Sequence, residues 1–182
     1  MARKESISKE MILDTAFAMA REEGLENITA RRVAERANCS TQPIFRSYQN
    51  MEELTDAVYE RAVSFFQDYY SLYPRLSGFP FSNLGMAYIA FAREEKALFR
   101  LLFVANKQRT SLYEILNGKS ENVKMQIQAA AQAGCPDPSD LFMKMWIFIH
   151  GAAVMSMTGD YDLSEEQTLI MLEKAYHSFL NA

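Results

Sequence analysis

Two interruptions constrain this chain more than any other feature. Gly24 and the triplet Asn38-Cys39-Ser40 divide residues 8–48 into one helix of ordinary length and two of barely two turns each. From Ser8 to Glu23, Ile12, Ala16, Met19 and Ala20 recur at three-to-four spacing with charged residues between them, which predicts an amphipathic helix. Ser8 suits its N-cap, Glu10 complements the N-terminal dipole, and Gly24 stands where a left-handed terminating residue is wanted. Thr29 caps a second helix over 30–37, with Val33, Ala34 and Ala37 on one apolar stripe and Arg31, Arg32, Glu35 and Arg36 on the other side. Ser40 is expected to cap a third, ending near Tyr48, with Pro43 in the first turn where a missing N–H does no harm. Two short helices joined by a three-residue turn, after a longer one, have the form of a helix-turn-helix.

The third helix carries the chemistry. At 100° per residue, Ile44 and Tyr48 share an inward face and Gln42 and Arg46 lie nearly opposite, flanked by Pro43 and Phe45. Gln bonds adenine through two atoms and Arg does the same to guanine, so these are the side chains that base reading in a major groove requires. Ser40, Thr41 and Ser47 are phosphate-contact candidates. The alternative for Gln42 and Arg46 is a solvated helix face; for Phe45 it is packing in the core rather than against the DNA backbone.

The run Ile28-Thr29-Ala30-Arg31-Arg32-Val33-Ala34, then Cys39-Ser40-Thr41-Gln42-Pro43-Ile44-Phe45-Arg46-Ser47-Tyr48 and Asn50-Met51-Glu52-Glu53-Leu54, resembles the DNA-binding domain of TetR-family transcriptional regulators over roughly residues 8–55. The resemblance implies an all-helical homodimer. Residues 1–50 would bind operator DNA, and residues 51–182 a small effector and the partner subunit. It also implies DNA contacts at Arg31, Thr41, Gln42, Pro43, Phe45 and Ser47. Three positions depart from the family pattern: Phe45 lacks the usual aromatic hydroxyl, Ser47 replaces a frequent His and Met51 a frequent Lys. Each removes a possible phosphate contact.

Beyond Tyr48 the signals stay helical. Asn50 with Glu53 forms a capping box ahead of a long helix through Leu54, Val58, Ala62, Phe65, Phe66 and Tyr69, which the stretch from Tyr73 to Pro80 stops. Further helices are predicted over about 81–93, 95–106, 110–133, 138–157 and 164–181, the last with its own capping box, Ser164 and Gln167. Seven Gly and five Pro in 182 residues are too few turn formers for a many-stranded fold. The expected fold is all-α, about nine helices: a three-helix helix-turn-helix domain followed by a helical bundle.

The C-terminal region is dense in large apolar groups, among them Phe66, Tyr70, Tyr88, Phe103, Tyr113 and Trp146. They read either as core or as the lining of a pocket for a small hydrophobic effector. His150, between Ile149 and Gly151, is either a satisfied core or interface histidine or a ligand contact. No Cys or acidic residue stands at a helical offset from it, so no metal is expected. Helix 138–157 is apolar on nearly every face and the final helix carries Leu169, Ile170, Met171, Leu172, Ala175, Tyr176, Phe179 and Leu180, which predicts a two-fold homodimer through these last two helices. The near-apolar run Leu141 to Met157, at 17 residues, is shorter than a bilayer needs and reads as a buried helix rather than a membrane span.

Catalysis has no sequence support, because no Gly-rich phosphate loop, Gly-x-Ser-x-Gly elbow or His-Glu-x-x-His occurs. The Glu-Glu pairs at 22–23, 52–53, 94–95 and 165–166 read as helix ends or solvated faces, and no cofactor is expected. The net charge of −4 hides an asymmetry: residues 1–50 hold 8 basic and 7 acidic side chains, against 11 and 16 in the rest. Two cysteines and no apolar leader point to the cytoplasm. The reading is a ligand-responsive DNA-binding regulator, a repressor released from a palindromic operator; its alternative is a helical adaptor that uses the helix-turn-helix for protein contact.

Overall fold

The computed structural model describes residues 7–105 and 121–180. In chain order the helices are α1 (Lys9–Glu23), α2 (Ala30–Arg36), α3 (Gln42–Ser47), α4 (Met51–Leu72), α5 (Ser82–Glu94), α6 (Lys96–Phe99), α7 (Glu121–Gln132), α8 (Pro138–Thr158) and α9 (Glu165–Leu180). No strand occurs among the described residues. The chain forms two compact units, residues 1–68 with 95–106 and residues 69–94 with 107–182.

In the first unit, the apolar stripes of α1 to α4 converge on a core of Ile12, Ala16, Met19, Val33, Ala34, Ile44, Tyr48, Leu54 and Val58. The capping expectations hold at Ser8, whose Oγ accepts the Met11 N–H at 3.1 Å, and at Thr29, whose Oγ1 accepts the Arg32 N–H at 3.3 Å. At α3 the expected cap is displaced. Thr41, not Ser40, occupies the N-cap position, and no side chain caps the helix there. The predicted helix 95–106 also differs: four α-helical residues widen into a π turn over Arg100–Val104, closed by the Ala105 N–H on the Arg100 carbonyl at 2.8 Å.

The same unit corrects the reading of Glu95 as a solvated helix end. Its carboxylate is buried, 7% exposed, and receives both Nε and a terminal nitrogen of Arg21, the Nε contact at 2.7 Å. Arg21 also lies over the Phe65 ring, 4.9 Å from its centroid. The Glu95 carboxylate raises the Arg21 pKa above its ordinary value, chiefly through the hydrogen bond.

In the second unit α5 is the central rod, with Leu84, Met86, Tyr88, Ile89 and Phe91 all buried. Gly85 sets how closely its neighbours approach. A Cβ there would stand 3.0 Å from Leu172 Cδ1 on α9 and 3.1 Å from Ile149 Cδ1 on α8. The chain enters α5 through Phe81, a fully buried residue at φ +67° whose N–H donates to Gln126 Oε1 at 2.7 Å. The Ser164–Gln167 capping box of α9 is reciprocal, with bonds of 2.9 and 3.2 Å. Helix α8 runs to 21 residues, so the argument from length against a membrane span falls. What speaks for a protein interior is the burial of Leu141, Phe142, Met145, Ile149, Ala152 and Ala153 along it. The predicted helix 110–133 is seen over Glu121–Gln132; its start lies outside the described residues.

Candidate nucleic-acid interface

The turn between α2 and α3 is built by backbone geometry. Asn38 adopts φ +50°, a left-handed conformation that Asn tolerates, and ends α2. Behind it the Asn38 N–H bonds the Glu35 carbonyl at 3.1 Å and the Cys39 N–H bonds the Ala34 carbonyl at 2.9 Å. The Thr41 carbonyl receives the Ile44 and Phe45 N–H groups, starting α3 with Pro43 in its first turn.

Rotation of α3 is fixed by burial. Ile44 is 0% and Tyr48 2% exposed, and both sit in the first unit's core. Gln42, Phe45 and Arg46 consequently form one exposed face, with Ser40 and Thr41 exposed ahead of it and Pro43 and Ser47 half-buried at its sides. Arg31 is exposed on α2. All eight residues expected to contact DNA belong to this unit, and the two base-reading candidates point away from its core. Phe45 is not a core residue.

Electrostatics sorts the arginines further. Arg36 donates two hydrogen bonds of 2.6 Å to Glu22, which raises the Arg36 pKa and lowers that of Glu22. Arg32 is held by Glu23 and by the Asn27 carbonyl at 3.0 Å. These pairs tie α2 to α1 and its following turn. Arg31 and Arg46 make no ion pair among the described residues, so their charges are available to an external anion. Sequence reasoning missed Lys9, whose Nζ lies 4.5 Å from the Tyr48 ring centroid and 3.8 Å from Glu53. The expected Asn50–Glu53 capping box is found in its forward half, Asn50 Oδ1 accepting the Glu53 N–H at 2.8 Å, while the Glu53 carboxylate reaches back to the Gln49 N–H at 2.7 Å.

The residues expected to line an effector site fall into separate groups. Phe66 and Phe103 meet edge to face at 5.1 Å in the first unit. In the second, Tyr88 packs 5.1 Å from Trp146, whose ring stacks at 6.1 Å on His150. The Tyr88 hydroxyl lies 3.0 Å from His150 Nδ1 and donates to it when the imidazole is neutral with its proton on Nε2. Burial lowers the His150 pKa and raises that of Tyr88, which favours this neutral pair. Tyr70 borders a shallow crevice with Tyr73, Pro74, Arg75 and Asn83; Tyr113 lies outside the described residues.

A larger cleft of about 190 Å³ opens elsewhere in the second unit, between Met86, Ile89, Ala90 and Arg93 of α5 and Glu165 and Thr168 of α9. Tyr73 at its rim donates to Glu165 at 2.9 Å, and burial with this bond pushes its pKa up to about 12. Phe66, Tyr70, Tyr88, Phe103, Trp146 and His150 do not line this cleft. Arg93, Glu94 and Glu165 stand at helix ends, where sequence alone gives a solvated reading. Among the described residues no group of three His, Cys, Asp or Glu side chains could hold a metal.

Two family models match the chain: one described as bacterial regulatory proteins, tetR family, over residues 12–58, and one described as tetracyclin repressor-like, C-terminal domain, over residues 81–176. No curated protein matches. Solved structures similar to the whole chain include a TetR-like transcriptional regulator from a Rhodococcus species (TM-score 0.63, 13% identity, 99% of each chain covered). A TetR-family regulator from Haemophilus influenzae has TM-score 0.63 and 16% identity, covering 93% of this chain and 94% of that one. Another from Pseudomonas syringae has TM-score 0.62 and 17% identity, covering 100% and 97%. At these identities the likeness speaks for the fold.

Proposed function

This chain belongs to the TetR family of bacterial regulatory proteins, non-enzymatic transcription factors, and we propose that it is a cytoplasmic repressor released from a palindromic operator by a small hydrophobic molecule. One observation carries the reading: α3 buries Ile44 and Tyr48 and turns Gln42 and Arg46 outward beside the uncommitted charge of Arg31. Residues 1–50 read DNA. Gln42 and Arg46 meet base edges in the major groove, and Arg31, Ser40, Thr41 and Ser47 meet phosphates.

Residues 51–182 bind the effector and the second subunit. The outer faces of α8 and α9 support dimerisation. Ile147, Met155 and Ile170 are exposed there, and Gly151 on the same side of α8 has open space where a Cβ would stand. An isologous pairing of the two helices places two α3 helices on successive half-sites. The Tyr88–Trp146–His150 group supports an aromatic effector contact, with Phe66, Tyr70, Phe103 and Tyr113 as further candidates. An effector alters operator affinity only through its differential affinity for two states of the protein, typically about 1–3 kcal/mol.

Selection of bound fragments from the source genome, followed by gel shift across a salt series, tests the DNA reading. The expected result is a palindromic site bound with strong salt dependence. Absence of any salt-sensitive DNA affinity would return the helix-turn-helix to a protein-contact surface. Sedimentation should give twice the chain mass. Trp146 is the only tryptophan, so hydrophobic compounds that shift its emission should lower operator affinity over the same concentration range.

A further inference from the structure

We propose that Phe45 is a specificity-determining residue that reads the C5-methyl group of a thymine in each operator half-site. The inference rests on the DNA-binding reading above and adds to it the chemical identity of one base. Phe45 is 51% exposed on a helix whose burial is accomplished by Ile44 and Tyr48, so its ring contributes little to the fold. Among the described residues no aromatic ring or cation is packed against it. It follows Gln42 by three residues and precedes Arg46 by one, and all three share the exposed face of α3.

The side chain's chemistry narrows what this ring can do. Phenylalanine has no hydroxyl, so it forms no hydrogen bond to a phosphate oxygen or a base edge. It offers apolar surface only. Along the major-groove edges of the four bases the one apolar projection is the thymine methyl, whereas guanine, adenine and cytosine present hydrogen-bonding groups there. When Gln42 and Arg46 engage purine edges, the Phe45 ring is carried to the same groove floor. Placed against a donor or acceptor it would strip water without replacing its bonds; placed against a methyl it removes two apolar surfaces from water together. The competing role is contact with deoxyribose, which is apolar but identical at every step and therefore indifferent to sequence.

Deoxyuridine separates the two roles, because it keeps every hydrogen-bonding group of thymidine and lacks only the methyl. The full-length dimer and its F45A variant are each titrated with the selected operator and with versions carrying one symmetric thymine-to-uracil replacement per half-site. At one position uracil should weaken the unmodified protein about fourfold per half-site, the effect of returning one methyl to water. The same replacement should leave F45A unchanged. An unchanged melting temperature for F45A establishes that the exposed ring was not holding the fold. Uracil effects of equal size in both proteins at every position would overturn the proposal, as would an F45A loss equal on thymine and uracil operators. Failure of the unmodified protein to bind any selected fragment would overturn the regulatory reading, and this inference with it.

Discussion

Helices α3 and α8 differ in how cleanly sequence divides their faces. Six residues of α3 include one fully buried side chain and an outward face of Gln, Phe and Arg. Burial and chemistry fall on opposite sides there, so the side that holds the fold and the side left to solvent are told apart by period alone. Helix α8 spans 21 residues, and apolar groups point in every direction. Met145 is fully buried, Trp146 and His150 are half-buried against Tyr88, and Ile147 is 62% exposed, all within two turns. Where one kind of side chain is buried in a core, half-buried among other rings and exposed to solvent within two turns, only tertiary packing separates the positions.

The comparison breaks first if the inward residues prove dispensable. Ile44→Ala and Met145→Ala should each destabilise the protein by about 3 kcal/mol in denaturant titration, because each leaves a cavity in a closed core. A change below 1 kcal/mol at either site would contradict the burial on which the division rests. Gln42→Ala or Arg46→Ala should instead leave the melting temperature unchanged and weaken operator binding by about 2 kcal/mol, with relaxed base preference in competition gel shifts.

Arg31→Ala sharpens the distinction between reading and holding. It should weaken all DNA sequences alike and reduce the slope of log affinity against log salt by about 0.9, measured by fluorescence anisotropy. The smallest effect belongs to α8. His150 titrates lower in the folded chain than its ordinary value of 6.5, so the unfolded chain binds more protons just below that pH. Stability should therefore fall as pH drops through about 6.5 towards the folded value, and His150→Gln should flatten that slope in thermal melts at successive pH values.

Local signals were readable from sequence wherever the determinant is itself local. The Ser164–Gln167 pair, the Thr29 cap and the facing of Ile44 and Tyr48 depend on residues within a turn or two of one another, and each is found as expected. What escaped depends on distant residues. Glu95 reads as a solvated helix end until Arg21, 74 positions earlier, closes on it. Gly85 is closed in by Leu172 and Ile149, residues 87 and 64 positions away, which no local pattern brings together. The start of α3 failed for another reason: Ser40 and Thr41 are adjacent and both suit a cap, so chemistry alone does not choose the register.

The pairing of Arg32 with Glu23 and of Arg36 with Glu22 bears on how quickly such a protein finds its site. A regulator must visit a vast excess of irrelevant sequence, and its residence at each stop grows with the number of phosphates it neutralises. Two guanidinium groups already satisfied by carboxylates lend little to that adhesion. On the proposed DNA-reading role, nonspecific duplex should therefore be bound weakly, and most of the dwell time should accrue where the bases themselves match α3.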